Sequence, residues 1–326
     1  YALGNAKSNE ASIKYIIVGA FSSAILLYGI SMVYSTLGVT RFLDISTALA
    51  SITEFSPALW VGLGLIVVGF GFKLSAVPFH MWAPDTYEGA PLPVTAYLAI
   101  ASKTAAFALL IRLVVEGLVP AADRWEQWQI IIAGMAAITM VVGNLVALAQ
   151  SNIKRLMAYS SIGHVGFVLA GVAAFSTNSV LAANGVIFYL VAYSVTNMLV
   201  FSALISYFNM TGQDEIADFA GLADRQPFLA ASIAIGLFSL AGLPIFAGFT
   251  AKFYLFTAVA DGGFLWLAVL AIFSSLISLY YYLQVIRQMY IQPALDSSET
   301  NDAGDYHQPD PVEIVALGRP SMLILT

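Results

Sequence analysis

Residues 69–113 read GFGFKLSAVPFHMWAPDTYEGAPLPVTAYLAIASKTAAFALLIRL and place Lys73 and Lys103 in apolar runs on either side of a Pro/Gly-rich interruption. At about 1.5 Å of rise per residue, both lysines lie near the middle of a membrane-spanning helix. A lysine stem can run along a helix so that its head group reaches the interface, but from this depth such snorkelling is strained. The segment therefore predicts ammonium groups that face a water-filled or protein-lined interior.

The composition is that of a polytopic membrane protein. Hydrophobic residues make up 60% of the 326 residues, charged residues make up 10%, and the mean hydropathy is +0.84. The net charge of −6 provides no basic field for nucleic acid. Because the chain has no cysteine, it can form no disulfide, thiolate zinc site or ordinary iron–sulfur cluster, and His80, His164 and His307 are too scattered for a local metal motif. Redox chemistry must then belong to another chain.

Hydropathy predicts eight membrane-spanning helices and the start of a ninth, since each segment approaches or exceeds the roughly 20 residues that a bilayer core requires. The predicted spans are 13–37, 57–80, 92–118, 128–150, 156–175, 180–208, 228–259 and 263–291, with a partial one from 312. The chain opens without methionine and closes on a short apolar run, which predicts a fragment of a longer protein.

Basic residues outside the membrane orient these spans. One side holds Lys7, Lys14, Lys154, Arg155, Arg225, Arg287 and Arg319, and the other holds Arg41, Arg112 and Arg124. The positive-inside rule then predicts that the chain starts on the cytoplasmic side.

Two of the spans are interrupted. Pro78 and Pro84 lie in the first interruption, and Gly242, Pro244 and Gly248 lie in the second. Proline removes a backbone donor and opens a helix, and freed backbone at that depth is tolerated where it lines a cavity. Each break taken alone is equally consistent with a plain proline kink. A pair of broken helices, each with a lysine close by, favours a transporter built on repeats.

Other polar residues recur at helical spacing. His164 lies four residues after Ser160 and three after Ser161, so at least one hydroxyl can face the imidazole. Two stripes of similar kind are Tyr189, Tyr193 and Asn197, and Ser274, Ser278 and Tyr281. Such stripes are often only interhelical contacts, and His164 could equally be structural. Imidazole nevertheless both gives and takes protons near neutral pH, so His164 is a candidate site residue.

The acids are less informative. Asp85 and Glu88 follow the first break, where we expect them to be solvated, and no acid lies mid-membrane. A buried lysine calls for such a partner, so we expect the partner acid to lie in a missing part of the protein.

Three segments carry a resemblance to a known family. They are residues 73–113, SNIKRLMAYSSIGHVGFVLAG (151–171) and LAGLPIFAGFTAKFYLF (240–256). Together they resemble the antiporter-like membrane subunits of respiratory complex I, and EASIKYIIVGAFSSAILLYGISMVY (10–34) is typical of the subunit N branch. The resemblance covers nearly the whole chain.

The resemblance implies two units related by an inverted repeat. Residues 1–120 would end the first repeat, 121–291 would form the second, and 292–326 would hold a polar connection and the start of a truncated last helix. Lys73 and Lys252 match the lysines of the family's two broken helices, Lys103 that of the helix after the first break, and His164 falls between them. In the family, a glutamate on a helix that this chain lacks pairs with the lysine matched by Lys73.

The resemblance also implies a function and a setting. Lys73, Lys103, His164 and Lys252 would relay protons, driven by quinone reduction elsewhere in NADH-quinone oxidoreductase. FMN, iron–sulfur clusters and quinone would belong to the whole complex and none to this chain. The partners would be other membrane-arm subunits, protons and the lipid bilayer, with no nucleic acid, in an energy-transducing inner membrane, most simply a bacterial cell membrane.

Two alternatives remain. A Mrp-type cation/proton antiporter subunit would use the same lysines, although the corresponding Mrp protein and complex I subunit M both carry glutamate where this chain has Lys252. A purely structural subunit would leave both broken helices unexplained.

Overall fold

The computed structural model describes residues 5–52, 55–176 and 180–293, without the side chains of 122–124, and this part of the chain is all-α. Seven of the described helices are long and apolar enough to cross a membrane, which confirms the predicted class of polytopic membrane protein. The predicted polar connection, the partial span from 312, His307 and Arg319 lie outside the described residues. The predicted boundary between repeats at residue 120 stays a prediction.

Thirteen α-helices follow one another along the described part of the chain. The first six are α1 (Ala6–Leu37), α2 (Phe42–Ser51), α3 (Pro57–Leu74), α4 (Trp82–Gly89), α5 (Leu92–Tyr97) and α6 (Lys103–Arg112). The others are α7 (Ala122–Ala147), α8 (Ile153–Ala173), α9 (Val180–Thr211), α10 (Leu222–Arg225), α11 (Pro227–Ala241), α12 (Ala247–Asp261) and α13 (Leu265–Tyr290). A π-helical stretch, Leu98–Ser102, joins α5 to α6, and a second one, Leu113–Leu118, extends α6 to complete one span, Leu92–Leu118.

Both predicted helix breaks are present. The predicted span 57–80 ends at Leu74, where Ser75 adopts a left-handed conformation (φ 61°) and donates its N–H to the Phe72 carbonyl. The chain then turns and resumes as α4. The predicted span 228–259 is two half-helices, α11 and α12, separated by Gly242 at φ 83°. The prediction of two discontinuous helices is therefore confirmed, with the first break four residues before Pro78.

Helix α8 forms the centre of the bundle. The most apolar window of α8 is 94% buried, and the helix packs against α4, α7, α9, α12 and α13. The side chain of Asn152 caps its N-terminus by accepting the N–H of Lys154 at 2.9 Å. Lys154 in turn pairs with Asp214 at 2.9 Å and lies 4.4 Å from the ring centroid of Phe208. The packing and the cap thus fix the position of α8 and of the polar side chains that it carries.

An ion cluster joins α1, α4 and α8 at one end of the bundle. The Arg155 guanidinium donates to Asp85 at 3.0 Å and to Glu88 at 2.8 Å. Lys14 pairs with Asp85 at 2.6 Å, and Lys7 pairs with Glu88 at 2.9 Å. The expectation that these two acids are solvated is therefore wrong, because both carboxylates hold the second half of the broken helix against its neighbours.

We expect Arg155→Met to lower the stability of the bundle by about 1 kcal/mol at pH 7, since it leaves two partly buried carboxylates with one partner each. Partial burial acts to raise the pKa of Asp85 and Glu88, but the hydrogen bonds from Arg155, Lys14 and Lys7 hold both pKa values below the ordinary carboxyl range. A carboxyl whose pKa is lower in the folded state than in the unfolded state stabilises the fold above the unfolded pKa of about 4. This contribution is lost as the pH falls through the folded-state pKa.

Thermal unfolding of the variant and the parent, followed by tryptophan fluorescence at pH 7 and pH 4, measures this effect. The difference in Tm should shrink at pH 4. Arg112→Met is the control, because Arg112 forms an exposed pair with Glu116. A difference in Tm that is the same at both pH values would contradict the prediction.

Candidate functional site

Lys103 is buried at the start of α6, directly after the π-helical stretch Leu98–Ser102. Only 2% of the residue is exposed. Its Nζ donates to the Ser161 hydroxyl at 2.7 Å and lies 5.7 Å from the ring centroid of Tyr87. Within the described part of the chain, no carboxylate pairs with it. The ammonium is therefore held by a hydroxyl and an aromatic face, and single π-helical turns of this kind are frequent at functional sites.

His164 lies on α8, three residues after the Ser161 that binds Lys103, and is also buried. Its Nδ1 is hydrogen-bonded to the Tyr189 hydroxyl at 2.5 Å, and its Nε2 to the Tyr282 hydroxyl at 3.3 Å. The sequence predicted a serine hydroxyl beside the imidazole. The direct partners are instead tyrosines, and Ser160 reaches the imidazole only through its hydrogen bond to Tyr282.

Lys252 is held by the end of the other half-helix. The residue is 5% exposed, and its Nζ donates to the Ala241 carbonyl and to the Ser275 hydroxyl, both at 2.9 Å. Ala241 is the last residue of α11, where unpaired carbonyls concentrate partial negative charge. A Cβ atom on Gly242 would lie 2.9 Å from the Cδ of Lys252. Because glycine has no side chain, the lysine stem can pack directly against the backbone of this turn. A helix C-terminus thus supports the ammonium where no described acid does.

Lys73 is placed differently. It lies in the last turn of α3 and is half-buried, and it forms no hydrogen bond or ion pair with any residue that the structure describes. It also lines neither of the two small cavities that border His164. The structure therefore brings together Lys103, His164 and Lys252, and leaves Lys73 apart from them.

Two small cavities separate the three residues, each of about 10 Å³ and so with room for about one water molecule. The Lys103 cavity has polar walls from Lys103, Thr104, His164, Tyr189 and Tyr193. The Lys252 cavity has polar walls from His164, Tyr189, Tyr193, Thr196, Ser239 and Lys252. His164, Tyr189 and Tyr193 line both. One imidazole therefore lies between two buried ammonium groups, with a polar space on each side.

Sequence reasoning found some of these residues and missed others. The stripe of Tyr189 and Tyr193 does face His164. On α13, however, the groups that reach the site are Ser275 and Tyr282, each adjacent to a residue of the predicted stripe. The apolar residues of α13 itself are spread over nearly all of its faces. The sequence therefore contains no amphipathic pattern that would indicate which face of α13 contacts the site.

Ser274, Ser278 and Tyr281 are buried too, but they line neither cavity. Ser278 donates to the Ser275 carbonyl at 2.6 Å, and the Tyr281 hydroxyl donates to Asn144 on α7 at 3.1 Å. The described residues include no group of three metal-ligating His, Asp or Glu side chains. The chemistry available at this site is accordingly that of amines, hydroxyls and one imidazole.

Comparisons with known proteins give a consistent result. The model of the family described as NADH:quinone oxidoreductase/Mrp antiporter, TM, matches residues 1–278. NADH-quinone oxidoreductase subunit N of Moorella thermoacetica is 50% identical over 291 residues, which cover 89% of this chain and 60% of that protein. The same subunit of Heliobacterium modesticaldum is 49% identical over 290 residues, with the same coverage. The chain thus spans about three fifths of the length of these relatives.

Two solved structures are similar to the fold. Respiratory complex I from Thermus thermophilus with bound aureothin contains a chain with a TM-score of 0.70 and 34% identity, covering 87% of this chain and 60% of that one. The Mrp complex from Dietzia sp. gives a TM-score of 0.81 and 25% identity, covering 89% and 52%.

Proposed function

Because this chain belongs to the NADH:quinone oxidoreductase/Mrp antiporter transmembrane family, we propose that it translocates protons in the membrane arm of an NADH-quinone oxidoreductase. Protons pass along Lys103, His164 and Lys252, and quinone reduction elsewhere in the complex drives them. The other membrane-arm subunits are its partners. FMN, iron–sulfur clusters and quinone act in other chains of that complex.

The observation that carries this proposal is the position of His164 between the two cavities. A neutral imidazole accepts a proton at one nitrogen and releases one at the other. Lysine can hold or release a proton, whereas arginine cannot be deprotonated in proteins. An amine, an imidazole and a second amine, separated by spaces of one water each, are sufficient for a proton relay.

Lys73 is the fourth member of the proposed relay. It lies in the first broken helix, as Lys252 lies in the second. An anionic partner for Lys73 would come from a helix outside this chain. The proposal further places the repeats at 1–120 and 121–291, the protein in a bacterial inner membrane, and residues such as Lys7 and Lys14 on the cytoplasmic side.

A cation/proton antiporter subunit is the second candidate, because the TM-score to the Mrp complex is 0.81. Sodium-dependent proton movement by a complex without flavin or iron–sulfur absorbance would favour it. Co-purification of NADH-quinone reductase activity and those absorbances with a tagged form of the protein would favour complex I.

Lys252→Met in the assembled complex should lower coupled proton translocation about a hundredfold, because methionine fills the space but can neither accept nor release a proton. Lys252→Arg keeps the charge and should not restore the rate. Proton uptake into proteoliposomes, measured with a pH-sensitive dye against NADH oxidation, provides the readout. Lys103→Met and Lys73→Ala should act in the same direction. Normal pumping by Lys252→Arg would show that only the charge matters and would contradict the relay.

A further inference from the structure

Tyr193 has a buried hydroxyl and is not one of the four residues of the proposed relay. Only 8% of the residue is exposed, and its hydroxyl forms no hydrogen bond of normal geometry with a described residue, the Ser161 hydroxyl being within reach of a weak one. Its neighbour on the same face of α9, Tyr189, is by contrast bonded directly to His164. Since burying a hydroxyl without a partner is unfavourable, the Tyr193 hydroxyl calls for a ligand that the protein does not supply.

The surroundings of Tyr193 indicate that ligand. Its side chain lines both the Lys103 cavity and the Lys252 cavity, and its ring centroid lies 5.1 Å from that of His164. Each cavity has room for about one water, and a buried water needs about two to four polar partners. The Lys252 cavity offers Thr196 and Ser239, whose hydroxyls are 3.0 Å apart, and the Lys103 cavity offers Thr104.

We propose that the Tyr193 hydroxyl binds one water in each cavity and thereby connects the two halves of the relay. A phenolic hydroxyl accepts one hydrogen bond while it donates another. A proton can therefore pass from one water to the other across Tyr193, as a second route beside the one through His164. The role in proton transfer rests on the proposed function, whereas the two water sites rest on geometry alone.

Another buried tyrosine shows why this role belongs to Tyr193. Tyr87 also has a buried hydroxyl without a hydrogen bond of normal geometry to a described residue, and its ring lies 5.7 Å from the Nζ of Lys103. It lines neither cavity, however, and so cannot connect Lys103 to Lys252. Tyr207 lies on α9 as Tyr193 does, but its hydroxyl donates to the Asp218 carbonyl at 2.8 Å, which makes it a matched control.

The test compares Tyr193→Phe with Tyr207→Phe in the assembled complex. A cryo-EM map that resolves waters should show density in both cavities within hydrogen-bond distance of the Tyr193 hydroxyl in the parent and in Tyr207→Phe, and should lose it in Tyr193→Phe. The rate of coupled proton translocation should fall about fivefold in Tyr193→Phe, the factor that corresponds to one hydrogen bond of about 1 kcal/mol, and stay unchanged in Tyr207→Phe.

The outcomes separate this inference from the proposed function. Parent cavities without water density, or densities that persist in Tyr193→Phe, would overturn the role of Tyr193 whatever the lysine variants do. Water density that depends on Tyr193, with normal pumping by the lysine variants, would confirm the two sites and overturn the relay. Loss of density and loss of pumping together support both.

Discussion

Gly248→Ala is expected to destabilise the bundle by about 3 kcal/mol, at the upper end of the cost of overpacking a well-filled core. A Cβ atom built on Gly248 would lie 1.7 Å from the carbonyl oxygen of Ser239 and 2.7 Å from its carbonyl carbon. Both atoms belong to the backbone of α11, so no side-chain movement can make room. The two half-helices must separate, and the Lys252 cavity, which Gly248 and Ser239 both line, must change with them.

Thermal unfolding of the purified complex measures the loss of stability. Gly134→Ala on α7 is the control, because nothing lies within 4 Å of a Cβ atom at that position and alanine favours a helix by about 1 kcal/mol over glycine. Equal melting temperatures for the two variants would show that α11 and α12 are not in close contact.

Much of the architecture could be predicted from the sequence. The long apolar runs predict the spans, and the family resemblance carried by residues 73–113 is confirmed by the comparisons. The two interruptions also coincide with real breaks, because proline and glycine act on the backbone locally. Such signals need no knowledge of which elements become neighbours.

The details of the site could not be predicted in this way. Ser275 and Tyr282 reach Lys252 and His164, whereas the predicted stripe ran through Ser274 and Tyr281. Adjacent helical residues point about 100° apart, so an error of one position selects a different neighbour. The hydrogen bond from Lys252 to the Ala241 carbonyl could not be predicted from the sequence either, because every residue has a backbone carbonyl.

The charge balance was predicted in part. The sequence showed that no acid lies mid-membrane, and the structure shows what replaces one for two of the three lysines. Lys103 has a serine hydroxyl and an aromatic face, and Lys252 has a helix C-terminus and Ser275. The prediction that a missing acid serves Lys73 is untested by the described residues.

His164→Leu is expected to lower coupled proton translocation by about a hundredfold, the lower end of what a positioned acid–base group contributes. Leucine removes the group that borders both cavities and leaves the hydroxyls of Tyr189 and Tyr282 without their shared partner. His164→Gln is the matched variant, since its amide can still bond with a tyrosine hydroxyl but neither gains nor loses a proton at neutral pH. A relay requires both variants to fail in the proteoliposome assay with assembly intact. If His164 only holds the tyrosines in place, glutamine should restore most of the rate, and that result would remove the imidazole from the proton path.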